Sequence, residues 1–166
     1  SFHEIRWLID SCAIREIANF NSLFMRFIGG GWHLDRETEY MAKLKRSSPP
    51  NVKWLGYLED DLLPAFFGAC DVIVHASRFI SESGSLLTAI GFGKAVIARD
   101  LPPNREKPLL ALFRDREELV AAVDMAFKGG DMIREAERQA WRYAEENSWA
   151  RVAEATKELV YLNTPY

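Results

Sequence analysis

"DVIVHASRFISESGSLLTAIGFGKAVIARD", residues 71–100, decides the fold. Its first part, "DVIVHAS", is a continuous apolar run flanked by Asp71 and Ser77, the pattern of a strand buried on both faces. A loop over 78–83, a helix over about 84–92 and a second apolar strand, "AVIA" at 95–98, follow. Two near-wholly apolar strands joined through a helix imply a right-handed crossover in a parallel sheet.

The flanking sequence repeats the alternation. Upstream, "SLFMRFI" holds five apolar residues in seven and stops at Gly29-Gly30-Gly31, a strand ending in a tight loop. "LDRETEYMAKLKR" reads as an amphipathic helix stopped by Ser47-Ser48-Pro49-Pro50. "NVKWLGYL" reads as a short strand ending at Gly56, and "EDDLLPAFFGAC" as a short helix with its acidic residues at the N-terminal end. Downstream, "LPPNREKP" is a proline-bounded loop and "LLALF" a final short strand. "DREELVAAVDMAFK" is a helix capped by Asp115 and closed by Gly129-Gly130. Two more helices are predicted over about 131–146 and 148–162, the second capped by Ser148. At the start, "FHEIRWLIDSCAIREIANF" spaces Ile5, Leu8, Ile9, Cys12, Ile14 and Ile17 nearly as a helix does.

The whole is one α/β domain over 1–166, a doubly wound, Rossmann-like parallel sheet in three α/β/α layers. Ligands bind such sheets where loops leave the carboxyl ends of strands, near the point where the winding reverses. Three loops leave strand ends with distinctive chemistry, Gly29–Trp32, Gly56–Leu58 and Ser77–Ser85, and all three should open on one edge.

The last of these has the makings of an anion site. A helix N-terminus exposes unpaired N–H groups and about half a positive charge. Gly84 leaves that backbone uncovered, and Ser83 and Ser85 add hydroxyls and cap character. Glu82 would be repelled by a phosphate, so it is expected to accept hydrogen bonds from sugar hydroxyls instead. Amides for an anion beside a carboxylate for hydroxyls suggest a sugar attached to a diphosphate. Taken alone, the five residues Ser81 to Ser85 also fit a solvated turn with a good N-cap.

Bulk properties are compatible with this. The 166 residues are 48% hydrophobic and 27% charged, enough for one domain with a real core. A net charge of −3 gives no reason to expect nucleic acid or an anionic membrane as partner. No apolar stretch approaches the roughly 18 residues of a spanning helix. Cys12 and Cys70 read as buried free thiols, and no His, Cys and Asp cluster has metal-ligand spacing, so no protein-bound metal is expected.

Residues 51–106, and within them "ESGS" at 82–85 and "GKAVIA" at 93–98, resemble the C-terminal, donor-binding half of retaining GT-B glycosyltransferases. Asn51-Val52 and Gly56 are similar to that family's strand and turn beside the nucleobase, and Ser148-Trp149 with Tyr161 to its closing helix. The resemblance implies hexosyl transfer from a nucleotide-diphospho-sugar to a glycan or lipid-linked acceptor, without a further cofactor. It also implies an acceptor domain N-terminal to this chain, and a cytoplasmic location with peripheral association at the membrane face. Glu82 is then the candidate catalytic residue. Ser83, Gly84, Ser85 and Arg78 are candidates for the phosphates, and Gly30, Gly56, Tyr57 and Thr88 for the nucleotide and sugar.

Two departures stand out. Many members carry a second glutamate where this chain has Thr88, which leaves the ribose without a charged acceptor. The family's domain also opens with a central strand and cations after it, whereas this chain is expected to begin inside the following helix. A sheet lacking its middle strand leaves rows of unpaired backbone groups, each costing about 1–3 kcal/mol, so another segment would have to fill the gap. With those cations missing, Arg78, Lys94, Arg99 and Arg105 are the remaining positive residues near the phosphates. His75 is expected as a hydrogen-bonded core histidine rather than a catalytic one, Trp54 is expected in the core, and Tyr57 is open between core and base stacking. A non-catalytic interaction domain with a degenerate donor site and a GT-B-like nucleotide-sugar epimerase are the alternative readings.

Overall fold

In the computed structural model, residues 6–9, 24–27, 39–48, 52–55, 58–77 and 83–162 are described. Six strands form a single sheet: β1 (Arg6–Ile9), β2 (Phe24–Phe27), β3 (Val52–Trp54), β4 (Val72–His75), β5 (Ala95–Arg99) and β6 (Ala111–Phe113). They lie in the order β3-β2-β1-β4-β5-β6. Every pairing is parallel, so all carboxyl ends share one edge. The order runs one way from β1 to β3 and the other way from β4 to β6, which puts the reversal between β1 and β4. This is the expected doubly wound sheet.

The expectation for the N-terminus is overturned in one respect. Residues 6–9 are the central strand, with Arg6 to Ile9 alongside Phe24 to Phe27 and Trp7 to Ile9 alongside Val72 to Val74. The helix-like spacing of Ile5, Leu8 and Ile9 misleads because a central strand of a parallel sheet need not alternate. Over four residues, the two periods cannot be told apart. Pairing on both sides satisfies the backbone groups that a missing middle strand would leave exposed. The remainder of that predicted helix, with Cys12, lies outside the described residues.

Helices α1 (Glu39–Ser47), α2 (Leu63–Gly68), α3 (Gly84–Gly91), α4 (Arg116–Lys128), α5 (Gly130–Glu146) and α6 (Trp149–Leu162) account for the other expected segments. A 3-10 turn at Asp60–Leu62 leads into α2, and its acidic residues suit that N-terminal end. Asp115 caps α4 by accepting from the Glu118 amide at 2.9 Å, and Ser148 takes the Arg151 amide at 3.4 Å.

Strand alternation sorts the core into two faces. Val72, Val74, Ala95 and Ile97 meet Leu119, Val123 and Ala126 of α4. Ile73, Val96 and Ala98 meet Phe66 and Phe67 of α2 and Leu86, Ala89 and Ile90 of α3. Cys70 is buried in this second face, as expected. Trp54 packs against the first face and donates from Nε1 to Ser48 Oγ at 3.1 Å, a core role.

Helix α5 contributes Ala136 to one face and Ala140 to the other, so it crosses the end of the sheet. It crosses at the amino edge, beside the turn that precedes β5. There the α3 helix ends on Gly93, at φ +66, whose amide bonds the Ile90 carbonyl at 2.8 Å while the Lys94 amide bonds that of Ala89 at 3.1 Å. This paired closure needs a left-handed residue, which glycine adopts freely. A Cβ at Gly93 would stand 2.1 Å from Nε1 of Trp141, so α5 rests its indole directly on the turn. Lys94 bonds the Cys70 carbonyl at 3.0 Å and lies 3.8 Å from Glu137. It therefore braces the amino edge of the sheet, the end opposite the head of α3.

Among the described residues, no helix is long and apolar enough to cross a membrane, and no cluster of three or more His, Cys, Asp or Glu side chains could hold a metal ion.

Candidate donor site at the head of α3

Strand β4 carries the chain to the carboxyl edge immediately beside the reversal point, and α3 returns it. Ser83 is extended, at φ −105 and ψ 111, and its side chain accepts from the Leu86 amide at 3.3 Å. Its carbonyl takes the Leu87 amide at 3.0 Å, the first bond of the helix. The amides of Gly84 and Ser85 precede that bond and have no partner within the helix. Gly84 is exposed, and a Cβ built on it would meet nothing within 4 Å. Ser85 is exposed as well. The head of α3 is thus bare backbone with two free donors, on the edge where ligands of such sheets bind.

Beneath it lies the side chain expected as a hydrogen-bonded core histidine. His75 is 7% exposed and has its Nε2 2.9 Å from Ser83 Oγ. Ser83 Oγ is also 3.0 Å from Ser85 Oγ. The core reading holds, but the imidazole additionally ties the end of β4 to the cap of α3. Alternation along the strand could have found this link, because His75 falls on the face of Ile73, the one that α3 covers.

Thr88 sits one turn along α3, and its hydroxyl donates to the Gly84 carbonyl at 2.8 Å. Its proton is therefore committed to the backbone, and only lone pairs remain for a ligand. Ser83, Gly84, Ser85 and Thr88 are brought together. Glu82, Arg78, Gly30, Gly56 and Tyr57 lie outside the described residues, although β2, β3 and β4, which precede them in sequence, all end on this edge.

The cations at and after the end of β5 have partners of their own. Arg105 Nε bonds Asp100 at 2.6 Å, and this guanidinium holds the Asp100 carboxyl below its ordinary range. Arg99 stacks on Phe113 at 5.0 Å and donates to the Arg114 carbonyl at 3.0 Å. Arg114 pairs with Glu118, with Nε to Oε1 at 2.9 Å, and lowers that carboxyl in turn. The loop between β5 and β6 is fixed from within by Asn104, which is buried and donates to the Arg99 carbonyl at 2.8 Å.

Comparison with known proteins fits this geometry. The sequence pattern of the family described as glycosyl transferases group 1 matches residues 2–128. No curated protein matches the chain by sequence. Among solved structures, sucrose-phosphate synthase from Thermosynechococcus elongatus superposes with a TM-score of 0.78 at 16% identity, over 98% of this chain and 46% of the synthase. HepE of Anabaena, solved in complex with UDP and glucose, gives 0.76 at 15% identity, over 97% of this chain and 49% of HepE. The catalytic domain of a cholesterol-α-glucosyltransferase from Helicobacter pylori gives 0.65 at 15% identity, over 88% of this chain and 100% of that domain. The chain spans less than half the length of both the synthase and HepE. At such identities the likeness establishes the GT-B fold. With the sequence pattern covering most of its length, the chain belongs to the group 1 glycosyl transferases.

Proposed function

We propose that this chain is the donor-binding part of an enzyme that moves a hexosyl group from a nucleotide-diphospho-sugar to a glycan or lipid-linked acceptor. The observation that carries the reading is the head of α3, where the Gly84 and Ser85 amides are free of the helix ladder and no described residue comes within 4 Å of a Cβ built on Gly84. Two such donors and the helix dipole meet charge on a diphosphate, and they gain most as the sugar–phosphate bond breaks and that charge grows. Ser85 adds a hydroxyl. Glu82 orients the donor sugar through its hydroxyls, and Arg78 adds a cation for the phosphates. Gly30, Gly56 and Tyr57 serve the nucleotide, with Thr88 accepting from a ribose hydroxyl. The acceptor is held by a second domain, and a lipid-linked acceptor would bring the protein to the cytoplasmic face of the membrane.

Isothermal titration of the full-length protein with UDP-glucose, GDP-mannose and ADP-glucose tests this. One of the three should bind, and Ser85→Ala and Glu82→Ala should each weaken it about tenfold or more, the worth of one hydrogen bond to a charged group. No binding of any of the three, with both substitutions silent, would rule the reading out. One observation favours the non-catalytic alternative: Thr88 stands where a carboxylate is usual, and its proton goes to Gly84. Product formation separates the two readings, since a binding-only domain turns over no donor.

A further inference from the structure

We propose that His75 is a positioning residue for the donor, and that its tautomer decides whether Ser85 has a proton to give to the diphosphate. This rests on the donor-site reading of α3 given above. A hydroxyl has one proton and two lone pairs. Ser83 Oγ already accepts from the Leu86 amide at 3.3 Å, which leaves one lone pair and one proton for its two remaining neighbours. Those neighbours are His75 Nε2 at 2.9 Å and Ser85 Oγ at 3.0 Å.

Two arrangements satisfy all three contacts. In one, Ser83 donates to an unprotonated Nε2, and Ser85 donates inward to Ser83. The outer surface of Ser85 is then only lone pairs, which repel an anion. In the other, Nε2–H donates to Ser83, Ser83 donates to Ser85, and the Ser85 proton points outward. An anion at the head of α3 selects the second arrangement, because a hydroxyl donating to a phosphate oxygen makes a charge-assisted bond. No proton leaves the protein in this change. The imidazole proton relocates from Nδ1 to Nε2, the two hydroxyls turn about their Cβ–Oγ bonds, and the hydrogen-bond chain reverses direction, anchored on a side chain 7% exposed at the end of β4. A leucine could fill the same apolar setting but could not set that direction.

The test is a double-mutant cycle with a spectroscopic arm on the full-length protein. Affinity for UDP-glucose, with GDP-mannose and ADP-glucose in parallel, is measured for wild type, His75→Leu, Ser85→Ala, the double variant and His75→Gln. Each of the first two single variants should weaken binding about tenfold, and the double variant should be no weaker than Ser85→Ala alone, since the imidazole acts on the donor only through the Ser85 hydroxyl. His75→Gln, whose amide can donate to Ser83, should return to within about threefold of wild type. Nitrogen-15 NMR of wild type should show His75 protonated on Nε2 in the saturated complex, a readout that does not depend on any variant folding. Multiplying effects of His75→Leu and Ser85→Ala, a His75→Gln as weak as His75→Leu, or an unprotonated Nε2 in the complex would each overturn the inference while the donor site stood. Failure of wild type to bind any of the three sugars would overturn both.

Discussion

Replacing Gly84 by alanine separates two reasons for a glycine at the head of α3. If the glycine served packing or an unusual dihedral, alanine would damage the fold. Neither applies. The added Cβ meets nothing within 4 Å, and Gly93 is the glycine with positive φ among the described residues. Alanine is therefore free to adopt the backbone, and the smaller entropy of the unfolded chain should stabilise the protein by about 0.4–1 kcal/mol. For a domain of this size that is a rise in Tm of roughly 1–4 °C. A phosphate approaching the bare backbone meets the new methyl and retreats from the amides. Losing one hydrogen bond to a charged group removes about 1.5–3 kcal/mol, or roughly tenfold to hundredfold in Kd. The assay pairs a thermal melt with calorimetric titration of the nucleotide sugar that wild type binds. A variant that melts higher and binds worse fits the reasoning. Binding within about threefold of wild type would refute it, because no ligand atom could then lie over that backbone.

Three further substitutions probe the amino edge. Gly93→Ala should destabilise by about 2–5 kcal/mol in urea unfolding, from the left-handed dihedral and the collision with Trp141, and Trp141→Ala in the same chain should recover the collision part alone. Glu137→Gln should raise Tm at pH 7. Burial, outweighing Lys94, pushes the Glu137 carboxyl above its ordinary value of 4.5, so its contribution is fully present below that pH and is lost as pH rises through the folded value. The gain from Gln should vanish below pH 4.5, and a Tm lower than wild type at pH 7 would mean that the Lys94 pair dominates.

Where sequence speaks of local chemistry, the fold could be read directly. The unbroken apolar runs of β4 and β5, the serine before Gly84 and the aspartate before α4 each act within a few residues, and each appears as expected. β1 could not be read that way. Its four residues take their strand identity from β2 and β4 on either side, a long-range fact that periodicity does not carry. The seat of Trp141 on Gly93 is likewise invisible, because nothing local links a helix residue to a turn 48 positions earlier. At the site, the cap was legible and the imidazole beneath it only half so. The apolar neighbours of His75 point to the core, and only its parity with Ile73 points to α3.

The two ends of α3 are built on opposite principles, and this bears on how such a site can vary. At the amino edge of the sheet, the helix stops on a glycine pressed against an indole, a lysine held by a carbonyl and a carboxylate, and a helix that joins both core faces. Every contact there is made by the protein with itself, so a change shows up as lost stability. At the carboxyl edge the same helix begins with amides left unpaired and a glycine with empty space above it. Replacing that glycine removes no internal contact, so its cost shows up only when a ligand is present. His75 is the exception, being buried like the first group and bonded into the second. It is therefore the position where stability and donor affinity should fail to separate, and His75→Leu should lower both where Gly84→Ala lowers one.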